Sequence, residues 1–555
     1  MSEPIAPSTG HKSDSLERPG PDFFDMPKHE NHSLEASAAS GDDKGAEAKQ
    51  EYVTGIKLVF ILVSVTLVYF LLMLDSSIIS TAIPQITTDF KALLDVGWYG
   101  SVYQLASSAF QPLSGKIYSY FNTKWSFLAF FFVFELGSAL CGAAQSSAML
   151  IVGRAVAGLG SSGLMNGTLT IISAILPVAK QPAVMGINVS LGQLGIACGP
   201  LIGGAFTEYA TWRWCFYVNL PVGAVIGVLL LLLEIPEPEP KPPAREVIST
   251  ALQTLDLPGF AMFAPAAAMF FLALQWGGNQ YAWDSATVIG LFAGAAALFA
   301  VFLVWEHHRG DAAMLPFSML AQRIIWSASL TMFFFLGVLF LSNYYLPIYF
   351  QAVRDDSALM SGVHILPTIL GQVVFAMISG VTIQQRGYYL PWVLTGTALT
   401  AVAYGLLSTL EPNTSSSRWI GYQVVFGVGC GMATTTPFIA IQNLVAPAQI
   451  PIAMGILIFC QNLGGAVLLV AAQTIFTNSL RETISRDVPG VPAELVINAG
   501  ARAVRQVVPP SLLEGVLQAY TTSVDRVMYL GIGLGVASFA FAWGLGWKDV
   551  RSQKK

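Results

Sequence analysis

From residue 56 onward the chain alternates apolar stretches of about twenty residues with short polar connections, and a helix of that length crosses a bilayer core of roughly 30 Å. The stretches fall near 56–80, 97–118, 125–144, 148–169, 184–206, 213–233, 256–276, 285–306, 324–349, 358–381, 389–409, 419–442, 453–476 and 527–547. The pattern predicts an all-α polytopic membrane protein with about 14 transmembrane helices. Residues 1–52 differ: they are rich in Ser, Glu, Asp, Lys, Pro and Gly, with no apolar segment of a cleaved signal, and read as a disordered cytoplasmic tail.

Composition agrees with a membrane chain, since 54% of the 555 residues are hydrophobic and 11% charged, against roughly 25% charged in soluble domains. A net charge of −5 with scattered Lys and Arg gives no basic patch, so no nucleic-acid partner is expected. Cys141, Cys198, Cys215, Cys430 and Cys460 lie in or beside apolar segments without metal-ligand spacing, so neither a metal nor a cofactor is expected.

Basic residues orient the spans, because Lys and Arg accumulate in cytoplasmic loops. With the N-terminus inside, those loops hold Lys116, Lys124, Lys180, Lys241, Arg245, Arg309, Arg323 and Arg386. Short external loops hold only Lys91, Arg213, Arg354 and Arg418, which places both termini in the cytoplasm. The sequon at Asn413 then falls outside and is a candidate for glycosylation.

The sequence repeats itself. "VMGINVSLGQLGIA" at 184–197 aligns with "AMGILIFCQNLGGA" at 453–466, carrying Met185 to Met454 at an offset of 269. The same offset carries Gly158 to Gly427 and Gly160 to Gly429 one span earlier. Parallel repeats of this kind build the halves of many secondary transporters, with substrate bound between them. The expected division is an N-terminal six-helix bundle at 53–233, a linker with two extra helices at 234–308, and a C-terminal six-helix bundle at 309–548. That second bundle includes an external loop at 477–526 with a short amphipathic helix in "SLLEGVLQAYTTSV", and a tail at 549–555 follows it.

Ionisable residues deep in the spans are Asp75, Glu135 and Arg154. Such residues face the bundle interior or a water-filled cavity, pair with one another, and mark ion or substrate pathways. The offset puts Gln423 opposite Arg154, so charge belongs to the first half alone. Asp75, Glu135 and Arg154 are therefore the candidates for proton coupling, in a hydrated central cavity; a static network that only fixes packing is the competing reading. Span five carries Gly192, Gly195, Gly199, Gly203 and Gly204 with Pro200, a small-residue stripe interrupted by a kink-forming proline. Candidates for the substrate cavity are Tyr103, Gln104, Gln111, Asn166, Gln193, Asn343, Tyr344, Tyr345, Gln461 and Asn462, amides and phenols among apolar neighbours. His364 reads as a packing residue.

"LDSSIISTAIPQI", "LIVGRAVAGLGSSG" and "GQLGIACGPLIGG" resemble the motifs of spans one, four and five in the major facilitator superfamily, within its fungal fourteen-span drug:proton antiporters. "WRWCFYVNLPVGA", "QWGGNQYAW" and "SALMSGVHILP" extend the resemblance over nearly all of the chain after residue 50. It implies the major facilitator fold and proton-coupled efflux of small amphipathic compounds such as toxins, drugs or secondary metabolites. By the same resemblance Arg154 assists proton transfer and the glycines of span five seal a helix interface. The expected partners are a small-molecule substrate, protons and the lipid bilayer, around a monomer in the plasma membrane, with the vacuolar membrane as the other location. Uptake of iron-chelate complexes and a non-transporting receptor are the alternatives. An enzyme is not expected, since the histidines form no catalytic constellation. The chain departs from the family between spans two and three, where "GKIYSYFNTK" puts Ser119 in place of the usual Asp and Asn122-Thr123 in place of Gly-Arg.

Overall fold

The computed structural model describes residues 53–90, 96–237, 241–278, 281–356 and 358–551, so the tail at 1–52 lies outside the described residues. Fourteen long helices follow the apolar stretches: α1 (Gly55–Phe90), α2 (Val96–Tyr120), α3 (Thr123–Gly142), α4 (Ser147–Ile175), α5 (Gln181–Tyr209), α6 (Trp214–Leu232), α7 (Leu257–Trp276), α8 (Ala286–Arg309), α9 (Arg323–Ile348), α10 (Ala358–Arg386), α11 (Leu390–Leu407), α12 (Ser416–Leu444), α13 (Ile450–Asp487) and α14 (Pro510–Ala542). Thirteen of them, among the described residues, are long and apolar enough to cross a membrane; α2, which carries Lys116 and several serines, is the less apolar one. Their starts are chemically marked. Asn122, Ser146 and Ser285 each accept a backbone N–H of the first turn, satisfying one of the donors a helix leaves open.

The segment between α13 and α14 departs from expectation. The expected loop at 477–526 is mostly helix: α13 continues to Asp487, and "SLLEGVLQAYTTSV" is the start of α14 rather than a separate amphipathic helix. The amphipathic element is Ala493–Val507, set off by Pro489, Pro492, Pro509 and Pro510, which cannot continue a preceding helix. Beyond the membrane core the long helices are held by charge pairs, Arg481 to Glu494 at 2.7 Å and Arg526 to Glu482 at 2.8 Å.

Helix pairing repeats along the chain. In the first six helices α1 packs along α5, and both α2 and α3 pack along α4; in the last six α9 packs along α13, and both α10 and α11 pack along α12. The repeated glycines make these approaches possible. A Cβ at Gly158 would strike the Tyr103 backbone of α2, and one at Gly427 the Thr368 carbonyl of α10. Gly195 stands against the Phe70 carbonyl of α1, and Gly464 against the Phe333 backbone of α9. Each pair is therefore a backbone-to-backbone contact of the kind that binds helices where apolar burial from water supplies no drive.

We call the end of the bundle that carries residues 233–237 and 241–256 the linker end, and the end that carries Ala493–Val507 the loop end. The two sets of six helices meet closely at the linker end. Asn166 donates to the Pro451 carbonyl at 3.2 Å, Gln442 to the Leu169 carbonyl at 3.2 Å, and Ser190 to the Val373 carbonyl at 3.0 Å. Gly115 brings α2 within reach of Pro451, where an added Cβ would stand 2.8 Å from its carbonyl oxygen.

Gly192 abuts the Tyr69 ring and Gly199 abuts Ser77 and Ile78, so these glycines and Gly195 join α5 to α1. Gly203 is buried and its carbonyl accepts from Thr207 at 2.7 Å, while a side chain at Gly204 would meet open space. Gly204 thus does not belong to the packed stripe, and the side chain of Pro200 lies outside the described residues. Gly195→Leu is expected to destabilise the purified protein in a thermal unfolding scan by roughly 1–3 kcal/mol or more, as overpacking does. Gly204→Leu is expected to stay within about 0.5 kcal/mol of wild type in the same scan.

Candidate functional site

Within the first six helices the structure brings into contact two of the three ionisable residues that the sequence singles out as candidates for proton coupling. Arg154 of α4 donates Nη1–H to Asp75 Oδ2 of α1 at 2.6 Å, and both side chains are 1% exposed. The guanidinium is satisfied further by the Tyr99 carbonyl of α2, which accepts from Nε at 3.0 Å, and its face rests on the Tyr103 ring at 4.3 Å. Tyr103 is therefore a cation–π support for Arg154, and the residue is 5% exposed. Asp75 lies inside the first bundle between α1, α4 and α6; in this conformation it does not face a hydrated central cavity.

The other carboxylate oxygen leads onward. Asn219 of α6 donates Nδ2–H to Asp75 Oδ1 at 3.2 Å and is 3.1 Å from Ser138 Oγ of α3. One helical turn along each of those helices lie Gly223 and Glu135, and the Glu135 carboxylate rests against Gly223. Both Glu135 oxygens are buried with no hydrogen-bond partner among the described residues. Arg154, Asp75, Asn219 and Ser138 thus form a continuous polar path that ends one turn from a buried carboxyl.

A second polar feature lies at the seam between the two sets of helices. A small enclosed cavity of about 10 Å³ is bounded by Tyr69, Met165, Asn188, Val189, Thr435 and Phe438, at the lower limit for one water molecule. Asn188 and Thr435 are both 0% exposed, and neither the Asn188 amide nor the Thr435 hydroxyl has a hydrogen-bond partner among the described residues. Buried polar groups in folded proteins are nearly always paired, so unpaired ones beside a cavity are places for a ligand or water. A larger open groove of about 500 Å³ between α10 and α12 is apolar, lined by Val363, Pro367, Leu370, Val374, Val424 and Val428.

The remaining sequence candidates are dispersed. Gln111 donates to the Ser162 carbonyl at 3.3 Å inside the first bundle and Asn166 donates to the Pro451 carbonyl across the seam, while the side-chain oxygen of each is buried without a hydrogen-bond partner among the described residues. Tyr345 donates to Gln473 at 3.2 Å, binding α9 to α13. Gln104 and Gln193 are half-buried, Asn343 and Tyr344 are exposed, Gln461 is half-buried with its carbonyl oxygen unpaired among the described residues, and Asn462 is buried. His364 sits 2.8 Å from Asp356 with its ring between Phe350 and Trp419, a packed and paired position. Asn413 is exposed in the connection between α11 and α12. The residues that sequence reasoning missed are Asn219, Ser138, Asn188 and Thr435. Asn188 had a signal: the offset that pairs Arg154 with Gln423 pairs Asn188 with Leu457, polar in one copy and apolar in the other.

This arrangement, two similarly built sets of six membrane-spanning helices around a seam with a buried charge pair on one side, is that of a polytopic membrane transport protein. A family model described as Major Facilitator Superfamily matches residues 65–469, and the chain belongs to that family. The chain is 53% identical to the MFS-type transporter pigP of Monascus ruber over 95% of its own length and 92% of that protein's. It is 47% identical to the efflux pump mlcE of Penicillium citrinum over 100% of its own length and 98% of that protein's. Among solved structures it is similar in fold to the proton:xylose symporter XylE, with a TM-score of 0.58 and 14% identity over 89% of this chain and 97% of that one.

Removing one member of a buried pair strands the other, at a cost of roughly 3–5 kcal/mol. Arg154→Gln is therefore expected to lower thermal stability by about that amount, and Arg154→Gln combined with Asp75→Asn to recover most of it. Thermal unfolding of the purified variants in one detergent checks both.

Proposed function

We propose that the chain is a proton-coupled efflux carrier, exporting small, largely apolar organic compounds by alternating access. The observation that carries this reading is the Asp75–Arg154 pair, buried in one half only and continued through Asn219 toward Glu135. Opposite charges hold Asp75 and Arg154 together; a proton delivered to Asp75 removes the attraction and frees the helices that the pair holds together. Similarity to the efflux pump mlcE of Penicillium citrinum supports export as the direction. Residues 53–233 and 309–548 are the moving halves, and α7 and α8 travel beside them.

On this reading the linker end faces the cytoplasm with both termini, as its excess of Lys and Arg favours, and the carrier works as a monomer in the plasma membrane. No catalytic step is assigned to it. The seam supplies the substrate's polar contact. Asn188 and Thr435 offer a donor and acceptors without charge among Tyr69, Met165 and Phe438, which suits an apolar compound carrying a neutral carbonyl or hydroxyl.

Efflux-deficient cells expressing the carrier are expected to accumulate less of a radiolabelled neutral hydrophobic toxin than cells without it, and a protonophore is expected to abolish the difference. Asp75→Asn and Arg154→Gln are expected to remove it without the protonophore; accumulation unchanged by wild-type carrier present at the surface would contradict export. Asn188→Leu is expected to raise the half-saturating concentration of an oxygenated substrate roughly tenfold, the worth of a buried hydrogen bond lost. The same substitution should change transport of a hydrocarbon dye far less.

A further inference from the structure

The turn between α2 and α3 keeps Lys124 but lacks the Asp and the Arg that the family resemblance implies there, and the side chains standing in their places do not replace them. Ser119 donates back to the Gly115 carbonyl of its own helix at 3.1 Å, and Asn122 is spent capping α3. Charges arrive instead from the segment that follows α6. Glu237 accepts from the Thr123 backbone N–H at 2.5 Å and from its hydroxyl at 2.9 Å, at the N-terminus of α3. Lys241 donates to the Tyr118 and Phe121 carbonyls, both at 2.9 Å, and to Thr123 Oγ1 at 2.8 Å, at the C-terminus of α2. The two pair with each other at 2.7 Å and are only 18% and 15% exposed. The carboxylate thus meets the positive end of one helix dipole and the ammonium the negative end of the other. Burial lowers the Lys241 pKa from its ordinary value, and Glu237 opposes that shift.

We propose that Glu237 and Lys241 are positioning residues: a strap that locks the α2–α3 corner and thereby holds α2 against α13 in the closed seam at the linker end. The strap and the seam grip the same turns of α2. Lys241 holds the Tyr118 carbonyl, three residues beyond Gly115, and Gly115 is the point where α2 meets the Pro451 backbone. Asn166 donates to that same Pro451 carbonyl from α4. A frayed end of α2 could follow α13 or slip from it; a capped one presents a fixed surface. Lys124, which donates to the Leu231 carbonyl at 2.8 Å, ties α3 to the end of α6 from which the strap departs. This inference rests on the alternating-access reading for its purpose, but its test needs no transport.

The test is hydrogen–deuterium exchange of the full-length protein in lipid nanodiscs, read at 115–125 and at 447–455. Lys241→Ala is expected to raise exchange roughly tenfold in both segments, as the loss of a helix cap does locally, the distant segment responding because the seam loosens. Glu237→Gln, which keeps an acceptor for Thr123 but not the charge, is expected to give a smaller rise in both and serves if Lys241→Ala folds poorly. The exchanged pair Glu237→Lys with Lys241→Glu separates a strap from an ordinary ion pair. It preserves their mutual attraction but puts each charge at the wrong helix end, so exchange is expected to remain high. Exchange confined to 115–125, no change in either segment, or recovery in the exchanged pair would each overturn the proposal.

Discussion

The structure depends on a charge pair where charges are costly. Asp75 and Arg154 are each 1% exposed within a bundle whose outer faces are apolar, and taking either ion out of water alone costs several kcal/mol. The pair survives because every face of it is used: a direct bond between them, the Tyr99 carbonyl on the guanidinium, the Tyr103 ring beneath it, and the Asn219 amide on the carboxylate. Those contacts come from α1, α2, α4 and α6, so four helices are located relative to one another by one ionic contact. A group that can change charge at that position acts on the whole first bundle.

Movement around such a centre requires helices that can slide and separate. The glycines allow close approach, backbone to backbone at Gly195 between α5 and α1 and at Gly115 where α2 meets α13, and against the Tyr69 ring at Gly192 and Ser77 at Gly199. The seam itself is lightly polar, with carbonyl acceptors at Pro451, Leu169 and Val373. Between these contacts lie Asn188 and Thr435, polar groups that have no partner among the described residues while the seam is closed. An opening that admits a ligand to them satisfies what the closed form leaves unsatisfied, which lowers the cost of leaving it.

Much of this was legible before any coordinates. Segment length and apolarity gave the helices, and the one offset of 269 located equivalent glycines that make equivalent contacts, Gly158 with Gly427 and Gly195 with Gly464. Arg154 and Asp75 stood out because charge is rare at that depth. The substrate candidates were less legible, because an amide in a span has the same appearance in sequence whether it faces a cavity, like Asn188, or bonds a backbone carbonyl, like Gln111. Neighbouring helices decide that, and sequence spacing does not reveal which helices are neighbours. The same limit hid Asn219, which lies 144 residues from the carboxylate it supports, and the strap from Glu237 and Lys241, whose partners lie more than a hundred residues earlier. The extent of α13 and α14 was misjudged because charged residues near 481–487 read as the end of a helix, whereas they pair with Glu494 and Arg526 outside the apolar core.

Asp75 is proposed to exchange a proton for substrate, and difference infrared spectroscopy of the carrier in lipid tests that most directly. The wild-type spectrum is expected to contain a protonated-carboxyl component, growing as pH falls, that is missing from Asp75→Asn while the contribution of Glu135 remains, and that component is expected to weaken when a transported toxin is added at fixed pH. Identical carboxyl bands in wild type and Asp75→Asn, or a difference between them that the toxin leaves unchanged, would contradict the coupling of proton and substrate through this residue.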